Sequence, residues 1–203
     1  MLAPSASQAE QASLLALLEE GKKPSLVVFD ADYTLWPFDC DKDVVAPFYE
    51  EPPHPCGPYD RYGRLAAPYS AVPLVVAALV DADTPIAVAS RNPAAGAVSE
   101  LMRAISISPT RSAEVTNLWE ALPSPLFFHA YSSGGYGKGK DRHFVTLLAL
   151  TGIPFKEMLF FDDVAENIAA ATALGVTAVQ VTMATGVTVE AFRKGLAEWR
   201  AKS

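Results

Sequence analysis

The chain has 203 residues, half of them hydrophobic, which is enough for one well-cored domain and argues against general disorder. Its formal net charge of −7 and pI of about 4.9 disfavour nucleic acid as a partner, because nucleic-acid binding relies on clustered Lys and Arg. No apolar run approaches the roughly 18 residues of a membrane span, and residues 1–21 contain no Lys or Arg, so we expect a cytoplasmic protein without membrane partners.

The first predicted elements are a helix and a strand. The stretch SASQAEQASLLALLEEG is typical of a short helix, with Ser5 or Ser7 as its N-cap and Gly21 as its end. The apolar run VVFD then indicates a buried strand that ends at Asp30.

A long irregular loop is predicted over residues 36–70, where prolines alternate with aromatic residues. This composition favours neither a helix nor a sheet. Irregular loops of this length in compact domains are often functional, and we therefore expect a loop that lies over the site as a lid. Its two cysteines, Cys40 and Cys56, are too sparse for a disulfide framework and indicate a reducing compartment.

From residue 71 onward the pattern becomes regular. Helices are predicted over VPLVVAALVDAD, AAGAVSELMRAI, DRHFVTLLALTG, VAENIAAATALG and VTVEAFRKGLAEWRAK. Strands are predicted over PIAVAS, LFFHAY, MLFFDD and VTAVQVT. The glycine-rich SSGGYGKG is a predicted loop, and we interpret residues 106–125 as an insertion.

The order of these elements predicts the fold class. Strands that alternate with helices require crossover connections, which favour a parallel sheet with helices on both faces. We expect a single α/β domain over residues 1–203 with a doubly wound, Rossmann-like sheet and no large cap domain, the loop 36–70 taking its place. Ligands of such sheets bind beyond the carboxyl ends of the strands.

Reactive polar residues follow the predicted strands at that edge. Asp30 ends one strand, Ser90 ends another, and an acidic pair closes a third. The edge is predicted to gather carboxylates, hydroxyls and one ammonium group: Asp30, Asp32, Thr34, Ser90, Lys140, Asp162 and Asp163.

This combination of groups indicates phosphate chemistry with a metal ion. Clustered carboxylates suit Mg²⁺, which typically binds a few of them and keeps waters and a phosphate oxygen. Thr34, Ser90 and Lys140 are donors for phosphate oxygens. We predict that Asp30 is the nucleophile and that Asp32, oriented by Thr34, protonates the leaving oxygen and then deprotonates the attacking water.

The motifs resemble those of the haloacid dehalogenase-like phosphohydrolases. The first family motif, DxDx[TV] after an apolar strand, matches residues 30–34 in full, and the second, a Ser or Thr at a strand end, matches Ser90. The third, a Lys in the approach to a helix, matches Lys140, and the fourth, an acidic pair, matches Asp162 and Asp163. All four occur in the family's order.

Over about residues 25–185 the chain is similar to the magnesium-dependent phosphatase subgroup, as seen in DADYTLWPF, the Ala-Ser-Arg of residues 89–91 and TGIPFKEMLFFDDVAENI. This subgroup is also described as acid phosphatases active on phosphotyrosine and on some sugar phosphates, and it lacks a large cap. The resemblance implies Mg²⁺ as cofactor, held by Asp30, the backbone carbonyl of Asp32 and the acidic pair. Within that pair it favours Asp163 as the direct ligand, with Asp162 beside it. The stretch 106–125 is longer than the subgroup usually has.

Several of the candidate site residues keep two interpretations. Lys138 and Lys140 both lie in GKGKDR, and we assign the motif to Lys140. Arg91 either binds substrate or pairs with a surface acid. Asn167 either orients the metal ligands as a supporting residue or caps its helix.

Other residues receive a structural interpretation. Three histidines show no ligand spacing and are interpreted as structural: His54, His129 and His143. Trp36 and Pro37 are interpreted mainly as packing at the base of the loop.

Three functions are compatible with these groups. The favoured one is a Mg²⁺-dependent phosphomonoesterase acting on a phosphorylated small molecule or a phosphotyrosine protein. A noncatalytic receiver-like signalling module has similar groups, but its phosphorylated Asp lies on a later strand than its acidic pair. A phosphotransferase on the same scaffold needs a closed, dry site. The sequence does not fix the substrate or the oligomeric state.

Overall fold

The computed structural model of the chain describes residues 6–50, 54, 56–111, 114–131 and 139–203. It contains a five-stranded parallel sheet in the spatial order β3-β2-β1-β4-β5. The strands are β1 Leu26–Phe29, β2 Ile86–Ser90, β3 Phe128–Ala130, β4 Met158–Asp162 and β5 Thr177–Gln180. The predicted fold class, a doubly wound α/β sheet, is confirmed.

Six α-helices accompany the sheet in the described residues. They are α1 Ala6–Glu19, α2 Val72–Asp81, α3 Ala95–Ala104, α4 Asp141–Thr151, α5 Ala165–Ala173 and α6 Val189–Lys202. Two helix ends have identifiable local causes. Gly152 ends α4 in a left-handed conformation with φ of 68°, and the Thr188 side chain caps the start of α6 by accepting a hydrogen bond from the Ala191 N–H.

The alternation of side chains along the strands builds a core on each face of the sheet. Val27 and Phe29 of β1 join the larger core, which α1, α2, α3 and α6 cover. Leu26 and Val28 point to the opposite face and join the smaller core under α4 and α5. Because both faces are covered, the central strands are apolar up to their last residues, as is typical of buried parallel sheets.

The strand order places the carboxyl end of β1 at a topological switch point. The chain builds β2 and β3 on one side of β1 and then returns to place β4 and β5 on the other side. Crevices at such points, beyond the carboxyl ends of the strands, are where ligands bind in open α/β sheets. The reactive residues of the first and fourth motifs therefore lie side by side.

In the loop between β1 and α2, one buried aspartate gathers several hydrogen bonds. Asp60 accepts hydrogen bonds from the backbone N–H groups of Val45, Tyr62 and Arg64 and two more from the Arg64 guanidinium. Between β1 and β2, the described residues comprise this loop and α2, with no separate helical cap.

The stretch 106–125 packs against the body of the domain. Leu118 and Leu122 are buried in the larger core, and the Leu118 N–H donates to the Ile105 carbonyl. That it is an insertion relative to similar proteins stays a prediction.

Three local predictions differ from the structure or lie outside it. Ser7 lies inside α1 and is not its N-cap, while Ser5 lies outside the described residues. The strand predicted over LFFHAY begins only at Phe128, because Pro125 starts a 3₁₀ turn over Pro125–Phe127. Most of the glycine-rich loop, residues 132–138, lies outside the described residues.

Among the described helices, none has both the length and the apolar character needed to cross a membrane.

Candidate active site

The site is built where β1, β2 and β4 end. Asp30 directly follows β1, Ser90 is the last residue of β2, and Asp162 is the last residue of β4. After β1 the chain turns sharply at Tyr33, which has a φ of 56°. A left-handed conformation is costly for a residue with a side chain, and such strain is concentrated at functional sites.

A buried lysine joins two of the predicted carboxylates. The Lys140 ammonium group, fully buried just before α4, donates to Asp30 Oδ1 and, at 2.6 Å, to Asp162 Oδ2. Because the charged group is out of water, these charge-assisted bonds hold all three side chains in place. The alternative residue for this motif, Lys138, lies outside the described residues.

The two members of the acidic pair have different surroundings. Asp162 is fully buried and accepts hydrogen bonds from the Val164 N–H, from Lys140 and, with both oxygens, from the Asn167 amide. Asp163 is half-buried and lines the cleft. This geometry favours Asp163 as the ligand that faces a metal ion, with Asn167 orienting Asp162.

The carboxylate cluster fits a divalent cation. Asp30, Asp162 and Asp163 each offer an oxygen, and these oxygens lie within 4.8 Å of one another. Burial raises the pKa of Asp30 to about 7, in opposition to Lys140 and with a further contribution from Asp162. Burial and the charge of Asp162 also raise the pKa of Asp163. The negative charges are thus only partly compensated by protein groups, and oxygen ligands are those that Mg²⁺ prefers.

Asp32, the predicted acid/base, is oriented by three donors. Its Oδ1 accepts from the Trp36 indole N–H at 2.8 Å and from the Cys40 backbone N–H at 3.1 Å. Its Oδ2 accepts from the Asn92 amide at 2.5 Å. Burial raises the pKa of Asp32, and these donors oppose that rise.

The predicted phosphate-binding residues surround the same edge. Ser90 is buried, and its hydroxyl accepts a hydrogen bond from the Asn92 backbone N–H at 3.1 Å. The Thr34 hydroxyl lies 3.5 Å from Asp30 Oδ2, which differs from the predicted role of orienting Asp32. Arg91 is exposed, lines the cleft and donates to Asn167 Oδ1 at 3.4 Å.

Sequence reasoning did not find two side chains that support the site. Asn92 has no motif of its own, and its position two residues after Ser90 is the only signal in the sequence. His143 Nε2 donates to the Ser90 carbonyl at 2.8 Å, and its ring stacks on Tyr131 with centroids 4.2 Å apart. Burial and the charge of Lys140 lower the pKa of His143 to about 4, so the ring is neutral and supports β2 as a structural residue.

A cleft of about 430 Å³ opens from these residues to solvent. Its walls come from the β1 turn, the first part of the loop, the end of β2, the segment after β4 and the loop after β5. Among the described residues that line it, Tyr33 is the aromatic one, and Lys42 and Arg91 are the cations.

Comparison with known proteins agrees with this geometry. Residues 22–202 match the family model described as Acid Phosphatase. The chain belongs to the acid phosphatase family. It is 32% identical over 173 residues to human Magnesium-dependent phosphatase 1, covering 85% of each chain. It is 31% identical over 144 residues to a HAD-like hydrolase superfamily protein from Schizosaccharomyces pombe, covering 71% of this chain and 78% of that protein.

A solved structure shows the same fold. The N-terminal part of BF1531 from Bacteroides fragilis, described as containing a phosphatase domain complexed with Mg, superposes with a TM-score of 0.53 at 17% identity. The match covers 97% of this chain and 44% of that one. At this identity the likeness establishes the fold alone.

The predicted resemblance to haloacid dehalogenase-like phosphohydrolases is confirmed, as is the prediction that the chain is a phosphatase. The name of the human relative, a magnesium-dependent phosphatase, agrees with the predicted cofactor. The roles of individual site residues stay predictions.

Proposed function

We propose that the chain is a Mg²⁺-dependent phosphomonoester hydrolase that acts through an aspartyl-phosphate on Asp30. The observation that carries this proposal is the group of three carboxylates, from Asp30, Asp162 and Asp163, beside the buried ammonium of Lys140. A nucleophile, a cation site and a hydrogen-bond donor for phosphate oxygens are thereby within reach of one reacting phosphoryl group.

The metal ligands in this proposal are carboxylate oxygens of Asp30 and Asp163 and the backbone carbonyl of Asp32, with Asp162 supporting them. Bound Mg²⁺ lowers the repulsion between a carboxylate nucleophile and an anionic phosphate ester. Lys140 compensates charge on the other side of Asp30, and Ser90 is a donor for a phosphate oxygen.

The reaction proceeds in two displacements. In the first, an Asp30 carboxylate oxygen bonds to phosphorus while the ester P–O bond breaks, and Asp32 gives its proton to the leaving alcohol oxygen. In the second, a water oxygen bonds to phosphorus while the bond between Asp30 oxygen and phosphorus breaks. Asp32 takes a proton from that water, so the products are inorganic phosphate, the free Asp30 carboxylate and Asp32 in its original protonated form.

Among the described residues the cleft is open, which supports hydrolysis of esters with bulky leaving groups. Water reaches an open cleft, whereas a phosphotransferase has to exclude water from its aspartyl-phosphate. We propose phosphotyrosine and sugar phosphates as substrate classes, since Tyr33 offers an aromatic face for either an aromatic ring or a sugar.

Hydrolysis of p-nitrophenyl phosphate tests the proposal. We expect wild-type protein to be active with Mg²⁺ and inactive with EDTA, and Asp30→Asn to lose at least about 10³-fold of the rate. Asp83→Asn is the matched control, because Asp83 is exposed and lies before β2, at the opposite edge of the sheet. Equal rates for Asp30→Asn and wild type, or activity that persists in EDTA, would overturn the proposal.

A further inference from the structure

Asn92 occupies the turn between β2 and α3 and connects two halves of the site. It is 6% exposed, and its side-chain nitrogen donates to Asp32 Oδ2 at 2.5 Å and to Asp39 Oδ1 at 3.1 Å. Both hydrogens of the amide are therefore used, one on the predicted acid/base and one on the loop that forms the wall of the cleft.

The orientation of this amide is fixed by its own chain. Asn92 Oδ1 accepts from the Ala94 N–H at 2.7 Å, at the start of α3. Turning the amide over would place its oxygen against two carboxylates and its nitrogen against an N–H group, so the assigned orientation is the one that satisfies all partners.

The same residue also touches the phosphate side of the site. The Asn92 backbone N–H donates to the Ser90 hydroxyl at 3.1 Å, which holds that oxygen at the end of β2. Asn92 therefore contacts both Ser90, a predicted hydrogen-bond donor to phosphate, and the carboxylate of Asp32.

The other donors to Asp32 come from the opposite direction along the chain. Trp36 and Cys40 belong to the segment that follows β1, and both donate to Oδ1. Asn92 donates to Oδ2, so it holds the second oxygen of the carboxylate, which the other two donors do not contact.

We propose that Asn92 is a positioning residue for proton transfer by Asp32 in the proposed hydrolysis, on which this inference rests. By fixing the plane of the Asp32 carboxylate relative to Ser90, it presents the acid/base to the leaving oxygen before substrate binds. Positioned proton donors contribute typically about 10²- to 10⁴-fold to a rate, and that contribution depends on geometry.

The consequence of losing this positioning depends on the leaving group. A weakly acidic alcohol such as phenol, with a pKa of about 10 like that of tyrosine, needs a proton as it departs. The much more acidic p-nitrophenol departs readily without one. The value of kcat/KM reports the steps up to transfer of the phosphoryl group to Asp30, so it measures the step in which the leaving group departs.

The test compares kcat/KM for a series of aryl phosphates, from p-nitrophenyl to phenyl phosphate, in the presence of Mg²⁺. Asn92→Asp keeps the shape of the side chain and the acceptor for Ala94 but removes the donor to Asp32. Asn92→Ser also keeps an acceptor for that N–H and adds no charge. Both variants should lose at least about 30-fold with phenyl phosphate and no more than about 3-fold with p-nitrophenyl phosphate.

The matched control is Asn117→Asp, the same change in a half-buried residue away from the cleft whose Oδ1 likewise accepts a backbone N–H, that of Glu120. It should retain the wild-type dependence on leaving group. Asp32→Asn gives the dependence expected when the acid is lost altogether. Thermal unfolding of each variant, compared with wild type, establishes that the rates refer to folded protein.

Different outcomes separate the two proposals. If wild type is active and Asp32→Asn shows the steep dependence while both Asn92 variants lose the same factor with every ester, the positioning role is wrong and the proposed function stands. If neither ester is hydrolysed by wild type, the proposed function itself fails. A steep dependence in Asn92→Asp but not in Asn92→Ser would also overturn the inference, because added charge would then explain the effect.

Discussion

Asp60 in the loop and Asp30 at the site are both buried beside a cation, and their surroundings are opposite in kind. In the loop, Asp60 accepts five hydrogen bonds, two of them from the Arg64 guanidinium. At the edge of the sheet, Asp30 shares the ammonium of Lys140 with Asp162. The single negative charge of Asp60 is therefore well compensated by its hydrogen-bond donors. At the site, by contrast, one ammonium group faces two buried carboxylates, so negative charge is left in excess.

The pKa values express this difference. Burial alone would raise the pKa of Asp60, but the donors from Arg64 and from three backbone N–H groups hold it below its ordinary value. Burial raises the pKa of Asp30 to about 7, since Lys140 only partly offsets that effect and Asp162 adds to it. We infer that Asp60 stabilises the fold, while Asp30 is held in a costly ionisation state that serves a function.

The change of aspartate to asparagine should affect protein stability very differently at the two positions, and this is the largest effect we expect. Asp60→Asn should lower the free energy of unfolding by about 2–4 kcal/mol, because it places an amide N–H group among donors and leaves Arg64 unpaired. Asp30→Asn should cause no loss at neutral pH in EDTA. Urea denaturation measures the free energy of unfolding of both variants. Equal destabilisation would contradict the different roles that we assign to Asp60 and Asp30.

The two aspartates should also give opposite pH dependence in EDTA. A raised folded pKa makes folded Asp30 bind more protons than unfolded Asp30 between about pH 4 and 7, so its contribution to stability falls as pH rises. Between about pH 4 and 7, the free energy of unfolding of wild type should therefore fall by on the order of 3 kcal/mol relative to that of Asp30→Asn. Asp60 has a lowered pKa, so its contribution is present above about pH 4 and disappears as pH falls further. Unfolding curves from pH 3 to 8 would contradict this if both differences had the same sign.

Magnesium should stabilise the site and leave the loop unchanged. Binding to the folded state adds about 2.7 kcal/mol at an ion concentration of 100 times Kd. The increase in Tm should be larger at pH 8 than at pH 5, because protons compete for Asp30 and Asp163 at the lower pH. Asp163→Asn should remove most of the increase, whereas Asp60→Asn should keep it. Calorimetry with and without Mg²⁺ makes the comparison, and an undiminished shift in Asp163→Asn would contradict the ligand assignment.

The smallest expected effect concerns Arg64. Its side chain is about half exposed, and Asp60 keeps three backbone donors without it. Arg64→Ala should therefore lower the free energy of unfolding by about 1 kcal/mol, less than Asp60→Asn. Urea denaturation checks the order of the two variants, and a larger loss for Arg64→Ala would mean that the guanidinium, and not the backbone, holds the loop.

The sequence predicted the central strands because each is a short apolar run bounded by polar residues. The edge strand β3 was harder, since its three residues are only half-buried and the preceding Leu126 and Phe127 are equally apolar. The 3₁₀ turn that contains those two residues depends on Pro125 and on the Ser124 side chain, which accepts from the Leu126 N–H.

The site was predictable where it follows from topology. Parallel strands bring their carboxyl ends to one edge, so Asp30, Ser90 and Asp162 were expected to converge there. The role of Asn92 depends on the loop folding back to place Asp39 beside β2, and Asp60 gathers donors from a loop without a regular pattern. Local periodicity does not encode such contacts.

The position of β1 in the middle of the sheet has a consequence for synthesis of the chain. Its apolar edge toward β4 has no partner until Met158–Asp162 have been made, about 130 residues after β1. At about 5–20 residues per second, that edge waits roughly 7 to 26 s on the ribosome, a period in which unpaired strand edges are open to aggregation. The arrival of β4 ends this exposure and, in the same event, brings the acidic pair to Asp30.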